Sequence, residues 1–280
     1  ARRCVERRNN RPADESLDEA ILEDAAEALS AGPAFRASYR VRNRHRSVGA
    51  RVAGEIARRY GGKGLPERSI DVRLRGAAGQ SFGAFCTRGL RLVLVGEAND
   101  YVGKGMAGGR VVIRPPAGDE GDPVLAGNTC LYGATGGSLY VAGSVGERFA
   151  VRNSGAIAVV EGAGHHACEY MTGGKVVVLG PVGYNLGAGM TGGDCYVWDP
   201  DGMVPGRLNT ALVEAMRPDA EHLEEFKWLV ERHLELTGSP RASSLLSDWQ
   251  RTARGVWHVA PVDQVRRIEA QQASRVGAPT

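Results

Sequence analysis

The sequence predicts an all-β solenoid, a right-handed parallel β-helix of about seven rungs flanked by N- and C-terminal helices. Two observations carry this expectation: a glycine-marked strand unit that recurs with a near-constant period, and apolar columns that appear when the units are superposed. The units are GG-RVVIRP, GG-SLYVAG, SG-AIAVVEG, GG-KVVVLG and GG-DCYVWD, with marker glycines Gly109, Gly137, Gly155, Gly174 and Gly193. Their spacings are 28, 18, 19 and 19 residues, and a fixed period of that size is the signature of a repeat architecture. The one long step holds Pro115, Pro116, Gly118, Gly121 and Pro123, which reads as an inserted loop. Upstream, Gly89 heads LRLVLVG and Ser69 heads IDVRLRG, so the rungs extend from residue 69 to 199.

Residues two apart share a face of a strand. Counted from the marker glycines, one column holds Val111, Leu139, Ile157, Val176 and Cys195, and a second holds Ile113, Val141, Val159, Val178 and Val197. Both are apolar throughout, as expected of a face that each rung buries only against its neighbours. The position between them holds Val112, Tyr140, Ala158, Val177 and Tyr196, which suits an outer wall that is itself partly covered. Lys175, next to inward Val176, falls on that opposite face and is expected to tolerate change. The coiling is expected to be right-handed, as parallel crossovers are. Sharp corners need φ > 0, which costs least for Gly, and the chain has 39 Gly in 280 residues.

The ends read as helical. Ser16 with Glu19 forms a capping box opening a helix toward Ser30, stopped at Gly32-Pro33. Val48, Val52, Ile56 and Tyr60 mark one face of a second helix before Gly61-Gly62. After the rungs, Leu223, Phe226, Val230 and His233 or Leu234 form a stripe closed by Gly238, and Ser239-Pro240 starts a further helix through Leu245, Leu246 and Trp249, ending near Gly255. The expected division is a helical and extended lead and cap over 1–68, the β-helix over 69–199, and a C-terminal helical cap and tail over 200–280. Such helices cover the open solenoid ends or dock the domain on a neighbour.

Composition narrows the function classes. A net charge of +3 is too mild to argue for nucleic acid, and no stretch approaches the ~18 apolar residues of a membrane span. Cys4, Cys86, Cys130, Cys168 and Cys195 contain no CxxC pair, so a disulfide framework is not expected and a reduced, cytoplasmic setting fits.

Several residues invite a sharper reading. Gly103, Gly105 and Gly108 in GKGMAG, and Gly187, Gly189 and Gly192 in GAGMTG, both satisfy GxGxxG. A dinucleotide fingerprint needs a helix after it, whereas a strand follows both times, so turn glycines are expected. His165, His166, Cys168 and Glu169 are dense in potential metal ligands, yet lack zinc spacing, and Cys168 aligns by rung with Leu131 and Phe149. Cys195 lies in the apolar column and reads as a buried hydrophobe. Arg40, Arg42, Arg44 and Arg46 alternate along an extended segment, giving one basic edge for an acidic partner, a neighbouring domain or solvent. No Ser/His/Asp arrangement and no recurring carboxylate pair is recognisable.

The segments AGQSFGAF (78–85), GEANDYVGKGMAGGRVVIRPP (96–116), LAGNTCLYGAT (125–135), GERFAVRNSGAIAVVEG (146–162) and HHACEYMTGGKVVVLGPVGYNLGAGMTGG (165–193) together resemble the GXGXG domain that ends the large subunit of glutamate synthase. The resemblance extends upstream through VRNRHRSVGARVAGEIARRYGGKGLP (41–66) and downstream through LNT, TGS and LLSDW. It implies a scaffold domain in an oxidoreductase that moves glutamine-derived ammonia onto 2-oxoglutarate. It also implies an upstream glutaminase domain, an upstream barrel with FMN and an iron–sulfur cluster, and a small reductase subunit as a further partner. On this reading no catalytic, cofactor-binding or metal-ligating residue is assigned within this chain, and neither nucleic acid nor membrane is a partner. The start at Ala1 is expected of an excised C-terminal segment. The alternatives are a stand-alone GXGXG subunit, such as that of a formylmethanofuran dehydrogenase complex, and a nucleotide-binding enzyme using the GxGxxG loops.

Overall fold

A computed structural model describes residues 16–118 and 121–268 of the chain. In chain order the elements are α1 (Leu17–Asp24), β1 (Phe35–Val41), α2 (Ala50–Tyr60), β2 (Ile70–Ala78), β3 (Leu90–Ala98), β4 (Ala107–Arg114), β5 (Val124–Ala126), β6 (Gly136–Val145), β7 (Ser154–Ala163), β8 (Thr172–Val178) and β9 (Gly192–Trp198). Then follow β10 (Val213–Met216), α3 (Ala220–Thr237), α4 (Pro240–Ser247), α5 (Trp249–Arg254) and β11 (Val256–Pro261). Strands β1, β2, β3, β4, β6, β7, β8 and β9 stack in parallel in that order, and β11 and β10 add antiparallel strands beyond β9. The result is a β-solenoid of about six turns. The 115–125 step is a local excursion whose strand β5 pairs with β3 and β6.

The interior follows from the alternation. One inward column runs Val72, Leu92, Val111, Leu139, Ala158, Val176 and Cys195, and a second runs Leu74, Leu94, Ile113, Val141, Val160, Val178 and Val197. All are buried. The β7 register therefore differs by one residue from the glycine count: Ala158 and Val160 face inward, while Ile157 and Val159 face out. The cause is Asn153. Its Oδ1 accepts from the N–H groups of Gly155 and Ala156, and its Nδ2 donates to the Ala156 carbonyl. This side-chain bracket absorbs an extra residue at the corner without positive φ, so Gly155 is not the counterpart of Gly137 or Gly174, whose φ values are +85° and +87°.

The opposite corner is built on left-handed backbone at alternate residues. One column of positive φ is Ser81, Tyr101, Thr129, Arg148, His166 and Asn185, without a glycine. The next is Gly83, Gly103, Leu131, Ala150, Cys168 and Gly187, and the third is Phe85, Gly105, Gly133, Arg152, Tyr170 and Gly189. Glycine alone therefore does not account for the corners. A non-glycine residue there costs about 1–2 kcal/mol, and each column is stitched to a neighbouring rung, as by Arg148 N–H to His165 O at 2.8 Å, Cys168 N–H to Phe149 O at 2.7 Å and Arg152 N–H to Glu169 O at 2.9 Å. A net ~0.5–1.5 kcal/mol per bond is of the same size as the strain, so the ladder carries the conformation.

The outer wall of Tyr140, Val159, Val177 and Tyr196 is covered by Phe226, Leu229 and Val230 of α3 with Ala242 and Leu245 of α4. The C-terminal helices thus lie along the side of the solenoid, and β11 with β10 shields its edge at β9. The run VWHVAP is too short for periodicity to separate strand from helix, which is why it was not legible as β11. Asp248, between α4 and α5, caps the latter through Arg251 N–H and splits the expected single helix. At the other end, Val48, Val52 and Ile56 bury themselves in the core with Ile21. Ser16 stands at the N-cap of α1 but its hydroxyl makes no capping bond. Asp18, two residues on, instead caps α2 by accepting from Gly49 and Arg51 N–H at 2.7 and 2.8 Å.

Candidate functional site

Each group singled out in the sequence has a definite place. Gly103, Gly105, Gly187 and Gly189 lie in the left-handed corner columns, with φ between +62° and +72°. The strands β4 and β9, not helices, follow the two GxGxxG runs. A side chain at Gly105 would meet the Phe85 ring at 2.8 Å, and one at Gly189 the Tyr170 ring at 2.5 Å. The space beside these two glycines is taken by aromatic rings of neighbouring rungs.

The His165–Glu169 cluster is divided by the same alternation. His165 Nδ1 accepts from Tyr184 N–H at 2.9 Å, and its ring stacks on that tyrosine at 5.7 Å. His166 Nδ1 lies 2.9 Å from Asn185 Nδ2 and 3.7 Å from Glu169, which also reaches Arg148. Cys168 points inward beside Cys195. Its rung partners by conformation are Leu131 and Ala150, one residue from the Phe149 of the sequence alignment. The hydrogen bond with Cys195, then burial, pushes the Cys168 thiol well up, and burial pushes Cys86 and Cys130 to about 12. These thiols remain protonated and unreactive.

The basic edge is composed differently from the sequence pattern. β1 ends at Val41, so Arg40 lies on a strand while Arg42, Arg44 and Arg46 belong to the turn before α2. Arg40 pairs in register with Arg75, and Arg73 sits opposite Ser38. With Arg36, these form an exposed basic face at the N-terminal end of the ladder.

Two polar networks escaped sequence reasoning. In the first, His258 of β11, fully buried, lies 2.8 Å from Asp194 of β9, which also accepts from Gln264 at 2.7 Å. Lys175 of β8 bridges Asp194 and Glu225 of α3, and Glu225 accepts from Tyr196 at 2.7 Å. His222 stands against His258 at 4.5 Å between ring centroids and is held by Asp219. Burial works against the Asp194 carboxylate, but the His258 hydrogen bond and the nearby cations outweigh it, so its pKa lies below the ordinary value. Asp194, His222 and His258 bring ligand atoms within 4.8 Å of one another, so these are described residues that could hold a metal ion. The Asp194 oxygens are already engaged by protein donors, and the geometry as it stands pins α3 and β11 to the solenoid. In the second network, buried Glu161 of β7 accepts from Ser239 and meets His233 and Arg241. Ser239 and His233 both converge on one carboxylate oxygen, which is an anchor for α3 and α4 rather than a Ser–His relay. Neither network could be found from the sequence, because its members lie far apart in the chain and no local pattern links them.

The sequence between 18 and 262 matches the GXGXG motif family. The chain belongs to this family. Curated relatives include the large chain of NADPH glutamate synthase from Azospirillum brasilense, 45% identical over 273 residues, which cover 96% of this chain and 18% of that protein. Ferredoxin-dependent glutamate synthase 2 of Synechocystis is 50% identical over 260 residues, covering 91% and 17%. NADH glutamate synthase of Schizosaccharomyces pombe is 44% identical over 263 residues, covering 92% and 12%. This family member therefore spans less than a fifth of the length of those relatives.

Proposed function

We propose that this chain is the scaffold domain of a glutamate synthase large subunit, an enzyme that converts L-glutamine and 2-oxoglutarate into two molecules of L-glutamate with two electrons and two protons. The observation that carries the reading is the near-complete coverage of this chain by glutamate synthases at 44–50% identity. Its polar networks support it, since they tie helices to the solenoid rather than open onto a reactive centre. The relatives named above are NADPH-, ferredoxin- and NADH-dependent by name, yet all resemble this chain to a similar degree, 44–50% identical. The choice of donor therefore lies outside the segment.

The rest of the polypeptide is expected to supply the glutaminase domain and a barrel whose FMN and iron–sulfur groups deliver the reducing equivalents. The described cysteines do not fit an iron–sulfur cluster: a cluster needs several converging thiolates, whereas Cys86, Cys130, Cys168 and Cys195 are free, buried and spread over different turns of the solenoid. We place the solenoid proper at 69–199 with about seven right-handed rungs, a lead and cap over 1–68, a C-terminal helical cap and tail over 200–280, and the protein in the cytoplasm. No described helix is long and apolar enough to cross a membrane. The chain's own contribution is to hold neighbouring domains in a fixed relation, because displacement of reacting groups by even about 1 Å is costly.

The test is charge reversal at Arg40 and Arg75 in the full polypeptide, measuring glutamine hydrolysis and glutamate formation together. A docking role predicts hydrolysis that outruns glutamate formation while thermal stability of the segment is retained. Unchanged coupling would remove this face from the docking surface. Loss of neither activity on deleting the whole segment would overturn the scaffold reading itself.

A further inference from the structure

Beyond the scaffold role, the outer row of the solenoid carries an unbalanced charge. Register places Asp71, Arg91, Arg110, Ser138, Ile157, Lys175 and Asp194 side by side on successive rungs. The ends of the row are neutralised: Asp71 receives Arg91 at 3.0 Å and Arg68 at 3.2 Å, and Lys175 lies between Asp194 and Glu225. Among the described residues Arg110, in the middle, forms no ion pair. Its neighbours in the row are another arginine and a serine, and its side-chain bond is from Nε to Ser138 Oγ at 3.2 Å. Across from it α3 presents a further cation, Arg232, already bound to Glu235.

Arg91, Arg110 and Arg232, together with Arg68 and Arg88, thus line a cavity of about 650 Å³ between β3, β4, β6 and α3. That volume suits a small ligand. Arg91, one of the lining residues, has its Nε buried without a hydrogen-bond partner among the described residues. Burial, followed by the Arg232 charge, draws the Arg110 pKa below its ordinary value, and Arg91 adds to the effect. Glu67, Glu231 and Glu235 also line the cavity, yet among the described residues none forms an ion pair with Arg110. Crowded, partly dehydrated cations are unfavourable unless an anion completes the set. Tyr140 and Trp228 supply an apolar surface in the same cavity.

We propose that this cavity is an oxyanion site for a small molecule bearing carboxylate or phosphate groups, gripped by Arg110 with Arg91 and Arg232, its carbon skeleton against Tyr140 and Trp228. Guanidinium forks match both anions in paired hydrogen bonds. The site is independent of the glutamate synthase assignment, since it rests on the row and the cavity alone.

The experiment titrates the full polypeptide with sodium phosphate and, separately, with sodium succinate at constant ionic strength, reading heat and backbone hydrogen exchange. Saturable binding of at least one anion is expected, with slowed exchange in segments 107–114 and 228–235. In Arg110→Gln the affinity for that anion should fall about tenfold or more, the loss of a charged hydrogen bond, and Arg110→Lys should recover part of it. Binding of one anion alone identifies the group the site accepts. The proposal is overturned if neither anion slows exchange in these segments, as when an acidic segment of the remaining polypeptide already fills the cavity. It is equally overturned if binding survives Arg110→Gln unchanged. The exchange measurement on the unsubstituted protein decides the matter even if the variant fails to fold.

Discussion

Asn153 shows how one side chain resets a rung. Fully buried, it brackets Gly155 and Ala156 with three hydrogen bonds, and so permits a corner that lacks a left-handed glycine. Asn153→Ala should remove the three bonds that hold Gly155 and buried Ala156 and cost about 2–4 kcal/mol, checked by urea unfolding. Gly96 imposes the complementary constraint. At φ +140° its added Cβ would lie 2.0 Å from the Gly76 carbonyl oxygen, whereas Gly62 has open space around it. Gly96→Ala should therefore prevent or strongly weaken folding, since the obstacle is backbone, while Gly62→Ala should shift the unfolding midpoint little. Equal midpoints for these two variants would show that the β2–β3 approach is looser than the structure has it.

At the scale of the element, β8 contrasts its two faces. Val176 is fully buried in the inner column, and Val176→Asp places an unpaired carboxylate there, at a cost of several kcal/mol. The sequence alone makes Lys175 tolerant; its place between Asp194 and Glu225 changes that expectation. Lys175→Asp would gather three carboxylates and loosen α3, whereas Lys175→Met should be the milder change; chemical denaturation of the pair measures the difference. The same network gives a pH signature. Because the folded Asp194 pKa is depressed, the unfolded chain binds more protons between the folded and unfolded values, and stability rises with pH through that window. The contribution is complete above the ordinary carboxylate pKa of about 3.9 and is lost as pH falls through the lower folded value. Asp194→Asn should accordingly lower the unfolding midpoint at neutral pH, with the gap to the native protein closing as the medium is acidified below the ordinary carboxylate range. A gap that stayed constant with pH would mean that Asp194 acts by packing and not by charge.

For the molecule as a whole, two cores share one sheet. The interior of the solenoid is closed by α1 and α2 at one end, while the wall of Tyr140, Val159, Val177 and Tyr196 depends on α3, α4 and β11 for its cover. Removing 217–268 should uncover this wall and the β9 edge together, giving aggregation and binding of a hydrophobic dye, because exposed apolar patches and open edges invite association. A soluble, monomeric truncated chain that bound no dye would show that the cover is dispensable. The arrangement also limits where function can reside: the interior is filled by side chains, which leaves the outer faces, among them the Arg36, Arg40, Arg73 and Arg75 face and the arginine-lined cavity, for the docking and anion binding proposed above.

The sequence by itself determined the repeating interior. Strand alternation and a period near 19 residues act locally and identically in each unit, so Val111, Leu139 and Val176 declare their inward direction without knowledge of their partners. The helices α2 and α3 were legible for the same reason, through Val52 and Ile56 and through Phe226 and Val230. The family resemblance was likewise written in contiguous segments. Tertiary structure decided what depends on distant encounters: β11 reaching back to β9, Asp18 capping a helix more than thirty residues away, and Glu161 meeting Ser239. It also decided the register of β7, where Asn153 replaced a glycine that a count of markers had taken for granted. Buried charges such as Asp194 and Glu161 find their counter-charges only in three dimensions, because burial imposes an electrostatic requirement but leaves the sequence position of the partner free.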